Sequence, residues 1–271
     1  MPIPKGLSKS PFEINNPKDR WKPDIDESKE NIQQFYAPLI QNIRRDIYDW
    51  RQFGYPDISD TSRKLLNFWF CTEHLSQFKY YFGQRESIES VIFLFEKMNI
   101  RNGQDLLKFD SWGLSKNFLN DTWLRLVLKQ ATGTGKTKVL MLIIAWSYFH
   151  KKFEKDSPLS DNFLLIAPNT IVLDRLKNDI VGLRVFNEDP IIPPQGYDEN
   201  DWNFSPSVHI QDEIGPINSN GNIFLTNIHR VYDKKIDLPS EEDANSMDFF
   251  LGEKPKGKYV KSGIDLGDIV R

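Results

Sequence analysis

Residues 123–149 constrain this chain more than any other stretch. An apolar run of strand length, 123–128, meets a glycine-rich turn, Thr132-Gly133-Thr134-Gly135. Lys136 and Thr137 follow at once, then an apolar helical segment over 139–149. Strand, glycine turn, Lys-Thr and helix in that order is the context a phosphate-binding loop requires. Glycines let successive backbone N–H groups ring an anion that side chains would block. A helix starting near Lys136 aims further unpaired N–H groups and a positive dipole end at the same point. Lys136 reaches the β- and γ-phosphates, and the Thr137 hydroxyl completes a Mg²⁺ shell made mostly of water and phosphate oxygens. The spacing therefore predicts ATP and Mg²⁺ held by Thr132, Gly133, Thr134, Gly135, Lys136 and Thr137. Lys136 and Thr137 take the catalytic roles, and Thr137 is the metal ligand. The opposing reading, a hairpin turn beside a surface lysine, leaves the flanking strand and helix unexplained. One position departs from G-x-x-x-x-G-K-[ST]: residue 130 is Gln, where that pattern has Gly.

Length and composition set the bounds. The 271 residues are 39% hydrophobic and 27% charged, which suits a globular chain with a sizeable core. The net charge of −3 gives no bulk basic signature of nucleic-acid binding, although a local basic groove can sit on an acidic protein. One cysteine, Cys71, excludes an internal disulfide and a cysteine-based zinc site. No apolar run reaches membrane-spanning length, and the N-terminus lacks a signal-peptide core, so a cytoplasmic protein is expected.

Along the chain, residues 1–30 read as a proline-rich extended arm docked through Phe12 and Trp21. Apolar residues at steps of three or four predict a helix over 30–53, with Arg44, Arg45 and Arg51 on its solvated face. Ser59 or Asp60 caps a second helix that buries Leu65, Leu66, Phe68 and Trp69. An aromatic run leads through Gln84-Arg85-Glu86 into a helix carrying Ile88, Val91, Ile92 and Leu94. Residues 162–167 form a buried strand, then Pro168-Asn169 precedes a helix, with Asn169 as a cap. A short strand is expected over 207–211, and another strand with a turn over 221–232. Alternating strands and helices argue a parallel sheet with sites at the carboxyl ends of its strands. The loop at 131–137 and Pro168-Asn169 would then share one edge.

Several of these pieces together resemble one family. They are Asp49-Trp50-Arg51 with Gly54-Tyr55-Pro56, Gln84-Arg85-Glu86, Ala131 to Thr137, the 163–173 segment and the 221–232 segment. The chain looks like the N-terminal part of a superfamily 2 DEAD/DEAH-box helicase, similar to the Res subunit of type III restriction enzymes. The resemblance covers about residues 45–232. It implies an α/β fold: an incomplete first helicase lobe, with a RecA-like parallel sheet flanked by helices and a mostly helical N-terminal extension. It divides the chain into an arm and helix (1–60), the lobe (61–232) and a loop or truncated remainder (233–271). It implies that Gln84 reads adenine, since an amide suits the N6/N7 edge. It also implies that Pro168, Asn169 and Thr226 touch a DNA backbone. The activity implied is an ATP-dependent DNA translocase working with a methyltransferase partner.

The chain departs from the family's full pattern. Asp212-Glu213 is the one acidic pair near a candidate strand. It precedes Thr226, whereas the family's Asp-Glu-x-His follows that motif. A second lobe and a nuclease motif are not seen, so the chain is expected to be a truncated gene product, a fragment or the first piece of a split protein, one that binds ATP weakly and hydrolyses it poorly. A non-catalytic, nucleotide-gated module that signals to DNA or a partner chain is the alternative. A small-molecule kinase would want an arginine-rich lid, and residues 177–220 offer only Arg184.

Overall fold

The structure is a computed structural model that describes residues 10–17, 38–72, 74, 78–109, 124–211 and 213–230. It divides into two compact units, Met1–Trp146 and Ser147–Arg271. Trp21 and residues 231–271 lie outside the described residues.

The first unit is helical. Helix α1 (Pro38–Gln52) buries Ile43, Ile47 and Trp50 along one stripe, as the three- and four-residue spacing requires. Gly54 at φ 74° ends it, and the Trp50 indole N–H donates to Pro56 O at 2.9 Å. Helix α2 (Asp60–Cys71) starts on Ser59, whose hydroxyl accepts from Ser62 N, and it buries Leu65, Leu66, Phe68 and Trp69. Helix α3 (Phe82–Ile92) passes into a π-helical turn, Phe93–Lys97. Of the N-terminal arm, Phe12 packs on Tyr81 with ring centroids 5.2 Å apart, and Pro11 O accepts from Phe82 N at 2.7 Å. Helix α4 (Lys136–Phe153) begins in this unit. Its Trp146 indole donates to Ser62 Oγ at 2.7 Å.

Arg51 corrects the sequence expectation. Arg45 does lie on the surface beside Asp46, but Arg51 is 7% exposed. It stands four residues after Ile47, so it shares the buried stripe rather than the solvated face. The buried Glu89 carboxylate meets it. Arg51 Nε donates to the two Glu89 oxygens at 2.9 and 3.0 Å, and Nη2 donates as well. Arg85 Nε (2.8 Å) and the Tyr55 hydroxyl (2.6 Å) complete the set, and Arg85 Nη2 donates to Tyr55 Oη at 2.8 Å. Burial, and next the Glu89 charge, hold the Tyr55 hydroxyl far above its ordinary range, so it stays a donor.

The second unit holds a parallel sheet of three strands: β1 (Asn162–Ala167), β2 (Ser207–Ile210) and β3 (Asn222–Asn227), in the order β1-β3-β2. Helix α5 (Thr170–Ile180) packs on β1 and β3 through Leu173, Leu176 and Ile180. Leu165 and Ala167 are buried, while Leu164 and Ile166, on the opposite face of β1, are 36% and 39% exposed. Phe149 is fully buried against Trp202 (4.9 Å) and Phe204 (6.0 Å). Among the described residues no helix is long and apolar enough to cross a membrane.

The strand expected over 123–128 is a second correction. Trp123 lies outside the described residues, and residues 124–130 form no ladder; Val127 is 90% exposed. A central parallel strand is apolar on both faces. Here Arg125 and Lys129 alternate with leucines, so one face carries charge and cannot be buried between helices.

Candidate functional site

The glycine turn has the backbone its sequence demands. Gly133 and Gly135 sit at φ 81° and 78°, a region open to glycine and strained for other residues. Helix α4 begins at Lys136, and Gly135 O accepts from Lys138 N at 3.0 Å. Lys136 is exposed. Its ammonium donates to Ala131 O at 2.9 Å, across the loop, and Thr134 Oγ1 donates to the same carbonyl at 2.8 Å. The loop thus already holds a positive group at its centre. These residues would offer a phosphate tail main-chain donors, one exposed cation and the Thr137 hydroxyl at the helix start. Among the described residues no cluster of three acidic, histidine or cysteine side chains forms a metal cage.

Two glutamines tie this loop to the first turn of α3. Gln84 is 3% exposed; its Oε1 accepts from Tyr81 N at 2.9 Å and its Nε2 donates to Thr134 O at 3.0 Å. Gln130 Nε2 donates to Gly83 O (3.2 Å) and Ser87 Oγ (2.6 Å). The departure at position 130 thus has a structural consequence: a side chain that glycine lacks spans from the loop to α3. Gly135 is needed twice over, because a Cβ there would overlap Gln84 Nε2, whereas a Cβ on Gly133 meets nothing. Gly135→Ala is expected to destabilise the chain by about 1–2 kcal/mol from backbone strain and further through that overlap. Gly133→Ala should show the strain alone. Denaturant midpoints of the two variants compare them, and equal losses would show that Gln84 exerts no steric demand on residue 135.

The residues expected to touch DNA lie in the second unit. β1 and β3 are neighbours, with Ala167 opposite Asn227 and Ile166 opposite Thr226, so Pro168-Asn169 and Thr226-Asn227 meet at one carboxyl edge. Asn169 Oδ1 accepts from Val172 N at 2.9 Å and caps α5. Thr226 Oγ1 and Asn227 Nδ2 are buried without a hydrogen-bond partner, and Asn227 Oδ1 accepts from His229 N at 3.0 Å. A buried polar group left unpaired costs about 1–3 kcal/mol, so two at one edge call for a reason. Of the acidic pair, Asp212 lies outside the described residues. Glu213 lines a cavity of about 500 Å³ with Val181, Leu183, Val208 and Ile210.

Sequence reasoning missed three residues. Gln130 was visible only as an exception to a pattern. Glu89 lay in an ordinary helical repeat, with no signal of its buried partners. Asn227 was overshadowed by Thr226 beside it.

A family model described as "Type III restriction enzyme, res subunit" matches residues 77–252, more than half of the chain. The chain belongs to this family. The match begins just before Gln84 and takes in the glycine loop, the whole sheet and Thr226, while α1, Tyr55 and α2 precede it. Res-family membership implies a helicase-like, ATP-binding module of superfamily 2 kind, in a family that acts on DNA. The small parallel sheet flanked by helices is compatible with a RecA-like lobe. No curated protein and no solved structure matches the chain.

Proposed function

We propose that this chain is the nucleotide-binding lobe of a restriction-type, ATP-dependent DNA translocase. The observation that carries the reading is the turn itself. Two left-handed glycines lead directly into an 18-residue helix whose first residue is a solvent-exposed lysine. In this reading the main chain of 132–136 binds phosphate, Lys136 leaves Ala131 O to neutralise the tail, and Thr137 ligands Mg²⁺. For Gln84 to read adenine, its amide has to leave Tyr81 N and Thr134 O.

Pro168, Asn169 and Thr226 take the DNA backbone. Of the first-turn amides of α5, Val172 N is already taken by the Asn169 cap, and the Thr226 hydroxyl, buried with no hydrogen-bond partner, has to be uncovered before it meets a phosphate. A methyltransferase and a second lobe would be the natural partners of such a motor, in a soluble cytoplasmic complex.

The test is titration of the chain with MgATP and with duplex DNA. Binding of each, with hydrolysis that stays slow when DNA is added, is the expected result. Binding without any turnover is what a nucleotide-gated module would give, and absence of nucleotide binding would end the proposal. Thr226→Val keeps the shape and removes the hydroxyl. It is expected to weaken DNA binding about 3- to 10-fold and to leave MgATP affinity unchanged, as read by anisotropy of a labelled duplex.

A further inference from the structure

We infer that Gln84 and Gln130 are positioning residues that clamp the phosphate loop to α3, and that the clamp sets phosphate affinity whatever base is attached. The inference rests on the nucleotide reading of the loop, and it goes beyond that reading by giving Gln84 a task other than base recognition.

The geometry starts with a peptide plane. Gln84 Nε2 donates to Thr134 O at 3.0 Å. Among the described residues no peptide bond is cis, and in a trans peptide the carbonyl and the next N–H point in opposite directions. Holding the Thr134 carbonyl toward α3 therefore turns the Gly135 N–H away from α3. That N–H is one of the donors a phosphate would meet. Without the Gln84 bond the plane can flip, because glycine at 135 offers no steric resistance to rotation.

Gln130 fixes the other end of the loop. Its Nε2 bonds Gly83 O and Ser87 Oγ, and Ser87 Oγ itself donates to Gly83 O at 2.7 Å. Gln130 Oε1 lies 3.5 Å from Thr134 Oγ1, so the two glutamines converge on one residue of the loop. Gln84 is also held from the far side, since its Oε1 accepts from Tyr81 N, the residue that precedes α3. Both atoms of its amide are thus committed to main-chain partners. An amide held in this way organises donors for an anion, and it would have to leave these partners to turn toward a base edge.

The experiment compares three ligands: MgATP, MgGTP and magnesium pyrophosphate, which has no base. Each is titrated calorimetrically against the full chain, Gln84→Met and Gln130→Ala, far below the unfolding midpoint of every variant. The clamp predicts losses of about 10-fold for Gln84→Met and smaller ones for Gln130→Ala. In each variant the three ligands lose affinity in parallel, so the ATP-to-GTP ratio stays where it is in the parent chain. Gln130→Ala leaves the α3 cap intact, which keeps the test informative if Gln84→Met folds poorly. A loss confined to MgATP would return Gln84 to base reading and overturn the clamp, and unchanged affinities in both variants would overturn the clamp without giving Gln84 either task. If the parent chain binds none of the three ligands, the nucleotide reading and the clamp both fall, a result distinct from the first two.

Discussion

Replacing Glu89 with alanine is expected to destabilise the first unit by about 3–5 kcal/mol, the usual result of removing one partner from a buried ion pair. Glu89 is fully buried and Arg51 is 4% exposed at its side chain. Truncation leaves two guanidinium groups, Arg51 and Arg85, without their shared carboxylate. It also leaves the Tyr55 hydroxyl without the oxygen it donates to, because burial keeps that hydroxyl protonated. Urea denaturation followed by tryptophan fluorescence measures the loss. The exposed Arg45–Asp46 pair is the control: Asp46→Ala should change stability by less than about 1 kcal/mol. A Glu89→Ala loss as small as that of the control would show that water or rearrangement compensates the arginines. The cluster ties α1 and the Gly54 turn to α3, the helix whose first turn faces the glycine loop. Its stability therefore bears on the site without any contact to a ligand.

Lys136→Ala is expected to lower MgATP affinity about 100-fold while leaving stability within about 0.5 kcal/mol of the parent chain. The two parts of the expectation have separate causes. The ammonium is exposed and bonded to one carbonyl, Ala131 O, so the fold gains little from it. A triphosphate tail, in contrast, carries several negative charges into a loop whose other donors are neutral amides, and Lys136 is the cation placed among them. Competition of unlabelled ATP against a fluorescent analogue gives the affinity, and the unfolding midpoint gives the stability. Lys136→Arg is not expected to restore binding, because a planar guanidinium differs in shape and reach from a compact ammonium. Retention of affinity within about 3-fold in Lys136→Ala would remove the loop from the binding site and with it the translocase reading.

Local features were legible in the chain alone. The caps Ser59 and Asn169 stand where a short polar side chain precedes an apolar stripe, and both bond the amide three residues on. Residues 162–167 and 222–227 are strands because each is a short apolar run bounded by breakers. Their parallel pairing follows from the helix between them. The glycine loop and its lysine needed no tertiary information, since φ near 80° at Gly133 and Gly135 is a property of residue type and turn.

What the sequence determined by itself, then, is the caps of α2 and α5, the strands at 162–167 and 222–227, and the left-handed glycine turn before α4, because these depend on neighbours within a few positions. Tertiary structure decided the rest. It left residues 124–130 outside the sheet, since pairing there depends on burial of both faces and Arg125 and Lys129 oppose it. It took Arg51 out of water and matched it to Glu89, 38 residues away. It turned the Gln84 amide onto Thr134 and brought Gln130 to Ser87, contacts between residues more than 40 positions apart. Such pairings are fixed by how whole helices pack, and no local pattern of residues encodes them.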